Sequence, residues 1–411
     1  MIKEPNTVRL VLEGHIIDSL LLPQLLDTVM DLGGNFNILS LDVGKQKADP
    51  SRCELEVWAD NATILKTIIE RAQDLGARLI SERPARLAEI PADGVYPDDF
   101  YSTSNLQTFV LVNGKWIEVQ DQEMDCAIAV DEENMTARCI SFAEAKKGMK
   151  VVVGYDGVRV VPMERSRNAD IFTFMSSDVS SEKPKKLVIS EIATEMIRAR
   201  SEGKKILVVA GPAIVHTGAA RHLSQLIDAG YVQVLFAGNA LAAHDVEAAL
   251  FRTSLGVSLE SGLPIAHGHA NHMRAINRIR AAGSLKAAVD QGILTQGIMY
   301  TAIKKGIEMV LAGSIRDDGP IPDVITDVIE AQIAMRKALK GVGVALMLST
   351  MLHSIATGNL LPASVKTVCV DINPATVTKL ADRGTFHSIG LVTDVELFLR
   401  ELLQALNVPI A

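Results

Sequence analysis

The residues able to do chemistry in this 411-residue chain gather behind apolar, β-rich runs in its second half. The first run, Ile206–Ala210, passes directly into Gly211-Pro212-Ala213-Ile214-Val215-His216-Thr217-Gly218. Glycines at a strand-to-helix turn let backbone N–H groups approach a pyrophosphate; a tight turn that merely packs helix on sheet reads the same way. Val232–Ala237 leads into Gly238-Asn239-Ala240-Leu241-Ala242-Ala243-His244-Asp245. An amide and a carboxylate there suit ribose hydroxyls or a carboxamide, or else Asn239 closes a turn and Asp245 caps a helix. Behind Met309–Ala312 comes Gly313–Pro320, where Arg316 could clamp a substrate carboxylate with a two-pronged hydrogen bond. Asp317 and Asp318 could hold an ammonium group or take its proton; the alternative is an Arg–Asp pair that fixes the loop. Val344–Leu348 ends in Ser349-Thr350-Met351-Leu352-His353, and Val368–Val370 in Asp371-Ile372-Asn373-Pro374, with Thr393-Asp394 one helix later. An acid closing a late strand suits an adenosine ribose, and a helix start at Asn373-Pro374 competes with that reading.

His267-Gly268-His269-Ala270-Asn271-His272 has the look of a metal site, and eight of the nine histidines follow residue 200. Catalytic zinc usually takes a helical pair of histidines plus a carboxylate or third histidine. This segment has three imidazoles but no HExxH and no nearby thiolate, so we expect substrate or structural contacts and no metal. His269 and His272 could shuttle protons near neutral pH.

The elements that must position these groups form a parallel sheet. Runs this apolar suit strands covered on both faces, and ligands bind such sheets at the carboxyl ends of the strands. Five polar clusters at strand ends fit a nucleotide lying along that edge. The sequence predicts an α/β chain with this Rossmann-like domain over 187–411 and two others before it. Residues 1–95 follow the order β-α-β-β-α-β of a ferredoxin-like α+β unit: Val8–Glu13, helix Ile16–Leu32, Phe36–Val43, Cys53–Trp58, helix Asn61–Leu75 and Ala77–Ile80. A linker with Pro84, Pro91 and Pro97 precedes a small β-rich domain over 96–180, in which Asn113-Gly114 between apolar runs marks a hairpin. A second linker, Ser176–Lys186, combines serines, charges and Pro184.

Length alone fits roughly two to four domains. With 48% hydrophobic and 22% charged residues, each can bury a core beneath a polar surface. A net charge of −8 and the absence of basic runs argue against nucleic acid or an anionic membrane as partner. No apolar run reaches the ~18 residues of a membrane span, and Met1–Pro5 carries no signal-peptide core. Cys53, Cys126, Cys139 and Cys369 make no CxxC pair. We read them as buried thiols of a cytoplasmic protein.

The segments Gly211–Gly218, Gly238–Asp245, Thr253-Ser254-Leu255-Gly256, Gly313–Pro320 and Val370–Asn373 resemble the LOR/SDH conserved-region family. That family is named after lysine-ketoglutarate reductase/saccharopine dehydrogenase and includes the archaeal and cyanobacterial type of ornithine cyclodeaminase. The resemblance runs from the N-terminal region through Asp394 and implies conversion of ornithine to proline and ammonia, with NAD retained as a catalytic cofactor. The second half also looks like the deoxyhypusine-synthase-like NAD-binding fold. On that pattern Gly211, Pro212, Ala213, Thr217 and Gly218 would hold the pyrophosphate, and Asn239, Ala240 and Asp245 would face the nicotinamide ribose. Asp371, Asn373 and Asp394 would lie towards the adenosine, while Ser349, Thr350 and Leu352 match the family loop loosely.

The implied chemistry explains a redox cofactor in a reaction without net oxidation. Hydride leaves the α-carbon and makes an electrophilic iminium; the δ-amine attacks, ammonia departs, and the cyclic imine takes the hydride back. Such a site needs a carboxylate clamp, for which Arg316 is the candidate, and proton transfer, for which Asp245, Asp317 and Asp318 are. Three other readings compete: a lysine- or saccharopine-type NAD-dependent dehydrogenase, a non-catalytic NAD-sensing protein, and a sirtuin-like transferase. The last is disfavoured because the zinc-ribbon CxxC pairs are missing. A homodimer or tetramer is expected from the ferredoxin-like edge and the long linkers.

Overall fold

The computed structural model describes residues 6–17, 19–46, 49–80, 83–161, 185–258, 270–317, 319–382 and 388–410. The chain divides into two compact units, Met1–Phe174 with Asn359–Ser364, and Met175–Gly358 with Val365–Ala411.

The first unit opens with β1 (Asn6–Gly14), α1 (Leu21–Asp31), β2 (Asn35–Asp42), β3 (Ser51–Ala59), α2 (Ala62–Asp74) and β4 (Arg78–Leu79), whose sheet order β2-β3-β1-β4 is ferredoxin-like. Period-two patterning sets its faces: Cys53, Leu55, Val57 and Ala59 of β3 are buried in one core with Leu25 and Val29 of α1 and Ile68 and Ala72 of α2. Asn61 caps α2 by accepting from the Thr63 N–H at 2.7 Å. Helix α1 starts later than the expected Ile16, because Pro23 has no N–H and its ring would meet the carbonyl of a preceding turn; Leu20 takes a left-handed φ of 60° at the entry.

A seven-stranded sheet completes this unit: β5 (Arg86–Glu89), β6 (Thr108–Val112), β7 (Lys115–Gln120), β8 (Ala127–Asp131), β9 (Thr136–Ile140), β10 (Lys150–Val153) and β11 (Val158–Val160), in the order β11-β6-β7-β9-β8-β10-β5. Asn113 and Gly114 both adopt positive φ, 49° and 76°, and pair Val112 with Lys115, as the two-residue hairpin requires. Two strands lie where the sequence suggested none. β5 falls inside the supposed linker, between Pro84 and Pro91, and pairs antiparallel with β10; β9 is polar at Thr136 and Arg138. Most of the second supposed linker lies outside the described residues.

The second unit carries β12 (Lys205–Ala210), β13 (Val234–Gly238), β16 (Glu308–Ala312), β17 (Val342–Leu348), β18 (Lys366–Asp371) and β19 (Ser388–Val392), all parallel, in the order β16-β13-β12-β17-β18-β19. Counted by appearance in this sheet, that is 3-2-1-4-5-6, the doubly wound order in which the chain reverses direction between β12 and β17. The expected Rossmann-like parallel sheet is therefore present, with β19 as a sixth strand. Its Gly390 accommodates α12 (Pro374–Asp382): a Cβ there would lie 2.0 Å from Val377 Cγ1. Further helices are α3 (Lys185–Ser201), α4 (Ala213–His216), α5 (Ala220–Asp228), α6 (Asn239–Phe251), α7 (Asn271–Ala282), α8 (Leu285–Asp290), α9 (Ile298–Lys305), α10 (Val328–Ala338), α11 (Leu352–Leu360) and α13 (Val395–Ala405). A two-residue ladder, β14 (Thr253–Ser254) with β15 (Val257–Ser258), follows α6. No described helix is long and apolar enough to cross a membrane.

Candidate active site

Because the six strands run parallel, their carboxyl ends bring together Gly211, Gly238, Gly313, Ser349, Ile372 and Thr393 along one edge. The crevice where the strand order reverses lies between β12 and β17. There Gly211 donates its N–H to the Leu348 carbonyl at 2.9 Å, and a Cβ on it would lie 1.9 Å from the Ser349 carbonyl oxygen and 3.0 Å from Thr350 Cβ. Ser349 itself adopts a left-handed φ of 52°. Only a glycine lets the two backbones approach this closely, at the strand-order reversal where open α/β sheets of this kind bind ligands. Pro212, Ala213, Thr217 and Gly218 continue from Gly211 over α4; Thr217 is exposed and its hydroxyl donates to the Ala213 carbonyl.

Asn239 and Asp245 both lie on α6, and both are buried and engaged. Asn239 Oδ1 accepts from the Ile321 N–H at 3.1 Å. Asp245, 1% exposed, accepts from the N–H groups of Ile298 and Met299, each at 2.8 Å, and so holds the start of α9. Gly297, at φ 102°, keeps the approach open: a Cβ there would lie 2.8 Å from Asp245 Oδ2. Burial pushes the Asp245 carboxyl up to about 6, against the opposing pull of those two N–H donors.

Behind β16, Ser314–Asp317 forms a turn in which Asp317 Oδ2 accepts from the Ser314 N–H at 2.8 Å, and Arg316 stands exposed at its tip. His353, near the start of α11, reaches across the edge: its Cε1 lies 2.9 Å from where a Gly238 Cβ would be. Burial lowers the His353 pKa, and the nearby Asp317 carboxylate opposes that shift. The loops behind β13, β16 and β17 thus converge on one place.

At the other end of the edge, Asp371 Oδ1 accepts from the Asn373 N–H, and Asn373 Oδ1 from the Ala375 N–H. Asp394 caps α13, accepting from the N–H groups of Glu396 at 2.9 Å and Leu397 at 3.1 Å. Asp394→Ala should therefore cost about 1 kcal/mol of stability, read from the denaturant midpoint. His269 and Asp318 lie outside the described residues; among those described, no group of three or more His, Cys, Asp or Glu side chains could hold a metal ion.

A second constellation lies at the foot of α6. Glu247, fully buried, accepts four hydrogen bonds: from Thr253 Oγ1 at 2.8 Å, the Gly256 N–H at 3.2 Å, the Leu255 N–H at 3.3 Å and His244 Nδ1 at 3.0 Å. Burial alone would raise this carboxyl, but the donors from His244, Thr253 and Gly256 hold it below the ordinary value. Asn271 Nδ2 donates to Thr253 Oγ1 and extends the network. The His244 ring lies edge-on to His216 with 4.8 Å between centroids and 6.3 Å from His272. His216 Nδ1 bonds Ser254 Oγ; burial and then the neighbouring His244 lower its pKa.

Residues 190–402 match the Rossmann-fold C-terminal region of ArgZ-like arginine dihydrolases, residues 107–189 match the first part of that C-terminal region, and residues 7–106 match the LOR/SDH bifunctional enzyme conserved region. The chain is 53% identical to the ornithine cyclodeaminase of Methanothermobacter thermautotrophicus over 98% of both chains. The chain belongs to the LOR/SDH-type ornithine cyclodeaminase family. Cyanobacterial members of this family are longer. The apo structure of cyanobacterial ArgZ matches 98% of this chain with a TM-score of 0.86 at 39% identity, and the chain spans 58% of that protein. A ternary complex of AgrE with ornithine and NAD+ matches 98% of the chain with a TM-score of 0.53 at 44% identity, covering 57% of AgrE.

Within this family fold, sequence reasoning singled out the crevice glycine and the loop behind β16 but passed over Glu247, His244, His216 and His353. A signal was present for the first two: His244 and Glu247 stand at i and i+3 on one helix face, six residues before the Thr253–Gly256 motif that supplies three of Glu247's four donors.

Proposed function

We propose that this chain is an NAD-dependent ornithine cyclodeaminase, forming L-proline and ammonia from L-ornithine. The observation that carries the reading is the 53% identity to an ornithine cyclodeaminase over 98% of both chains, on a parallel sheet whose strand order reverses between β12 and β17, where Gly211 packs tightly against Ser349. The residues present fit NAD: Gly211, Pro212, Ala213, Thr217, Gly218, Ser349, Thr350 and Leu352 would line the crevice. Asn239 and Ala240 would flank it on one side and Asp371 and Asn373 on the other. Bound NAD supplies a reversible hydride acceptor, which lets an amine leave an electrophilic carbon with no net oxidation.

The chain's own side chains must hold the substrate and move its protons. Arg316 would pair with the α-carboxylate, and Asp317, beside it, would hold an ammonium group. His353, whose pKa burial lowers, and His272, on α7, are candidates to exchange protons with the substrate. Asp245 is left to hold α9, since both its oxygens are engaged. Arg316→Ala should raise KM for ornithine about 10- to 100-fold, the worth of a charge-assisted hydrogen bond; an unchanged KM removes it from the clamp. The same reading places the reaction in a reducing, cytoplasmic compartment, which four buried free thiols support.

Incubation with ornithine, lysine and saccharopine in turn tests the function. One ammonia and one proline per ornithine, with no accumulated NADH, is the expected result. NADH building up with lysine or saccharopine would turn the assignment to a dehydrogenase.

A further inference from the structure

We infer that Glu247 is a positioning residue for this reaction: it holds His244 with Nδ1 protonated, so that Nε2 is free to take a proton from the substrate's ammonium group. The inference rests on the ornithine cyclodeaminase reading and adds residues that neither the motifs nor the strand-end clusters assigned. A carboxylate offers about four lone-pair sites, and Glu247 has four donors on them: one hydroxyl, two backbone N–H groups and one imidazole nitrogen. Such a group is an acceptor only. His244 Nδ1 must therefore carry a hydrogen, which leaves the lone pair on Nε2.

The surroundings favour that use. Glu247 is fully buried, whereas the His244 side chain keeps 13% of its surface accessible. His244 lies in the second turn of α6, the helix that begins at the carboxyl end of β13. The groups facing it are Glu247 from its own helix, His216 from α4 and His272 from α7. In the proposed step the ammonium N–H bond breaks, the proton forms a bond to Nε2, and the nitrogen keeps its electron pair. The imidazolium is balanced by the Glu247 carboxylate, and it returns the proton to the departing ammonia. Removing the anion while keeping the shape is known to cost orders of magnitude in carboxylate–histidine pairs, because the imidazole settles in the wrong tautomer.

The test uses the full chain saturated with NAD. In Glu247→Gln, kcat should fall on the order of 100-fold, with KM for ornithine and Kd for NAD within twofold of wild type. Nitrogen NMR of histidine-labelled protein should show His244 as the Nδ1–H tautomer in wild type and a mixture in the variant. Turnover within threefold of wild type, or a loss shared equally by kcat, NAD affinity and thermal midpoint, overturns the inference. Should Glu247→Gln not fold, His244→Asn keeps a donor to Glu247 and lacks Nε2. The same loss of kcat is expected there, and retention within threefold overturns the inference. The tautomer measurement needs no turnover, so a protein idle on ornithine but with His244 in the Nδ1–H form contradicts the functional reading alone, whereas an Nε2–H form contradicts this inference.

Discussion

Gly211→Val should abolish NAD binding while the first unit stays folded. A Cβ at 211 would sit 1.9 Å from the Ser349 carbonyl oxygen and 2.6 Å from its carbon, and these are backbone atoms with no rotamer to turn away. β12 and β17 are in register as far as Ala210 with Leu348, so relief has to come from parting the two strand ends at the crevice itself. Overpacking of this kind costs about 1–3 kcal/mol even for one added carbon. A distortion worth 2.7 kcal/mol to the bound state is about 100-fold in Kd, and valine adds two further methyl groups. Calorimetric titration with NAD reads the result; a folded Gly211→Val protein with the wild-type Kd would remove the crevice from the coenzyme site.

Asp245→Ala is expected to give the largest loss of stability in the second unit, about 2–5 kcal/mol. It leaves the Ile298 and Met299 N–H groups buried without an acceptor and empties the space between α6 and α9. The same carboxyl gives a pH signature. Its folded value of about 6 lies above the ordinary 3.8, so the native protein keeps a proton that the unfolded chain releases between those values. The stability it contributes is full below about pH 4 and is lost as pH rises through about 6, by on the order of 3 kcal/mol. Asp245→Asn cannot titrate. Its deficit against wild type should therefore shrink between pH 4.5 and pH 7.5 (two pH values roughly bracketing that window) in denaturant unfolding. A deficit that grows with pH would show the carboxylate, not the acid, to be the stabilising form.

The parts of the fold legible in the sequence were those set by short-range patterning. Asn113-Gly114 announced its hairpin, the apolar runs behind residue 200 announced a parallel sheet, and the order of elements before residue 80 announced the ferredoxin-like unit. The parts that escaped depend on partners distant in the chain. β5 is a strand because β10 pairs with it, and β19 because Gly390 lets Val377 close over it. The candidate site divides in the same way. Gly211 could be read from a strand meeting a glycine. Asn373 and Asp394 accept from the N–H groups at the starts of α12 and α13, and Asp371 from the Asn373 N–H, so each has a structural partner beside the coenzyme contact proposed for it. Glu247 was hidden by composition: one acid in a helix is ordinary, and only the fold of residues 253–256 around it reveals four donors on a buried carboxylate.

In the proposed reaction a coenzyme held at the reversal of the parallel sheet would borrow the substrate's α-hydrogen and give it back. Turnover of ornithine deuterated at the α-carbon, with unlabelled NAD in water, tests this most directly. Proline that retains deuterium at its α-carbon is the expected result. Proline carrying solvent hydrogen at that carbon, with the label washed into water, would contradict it.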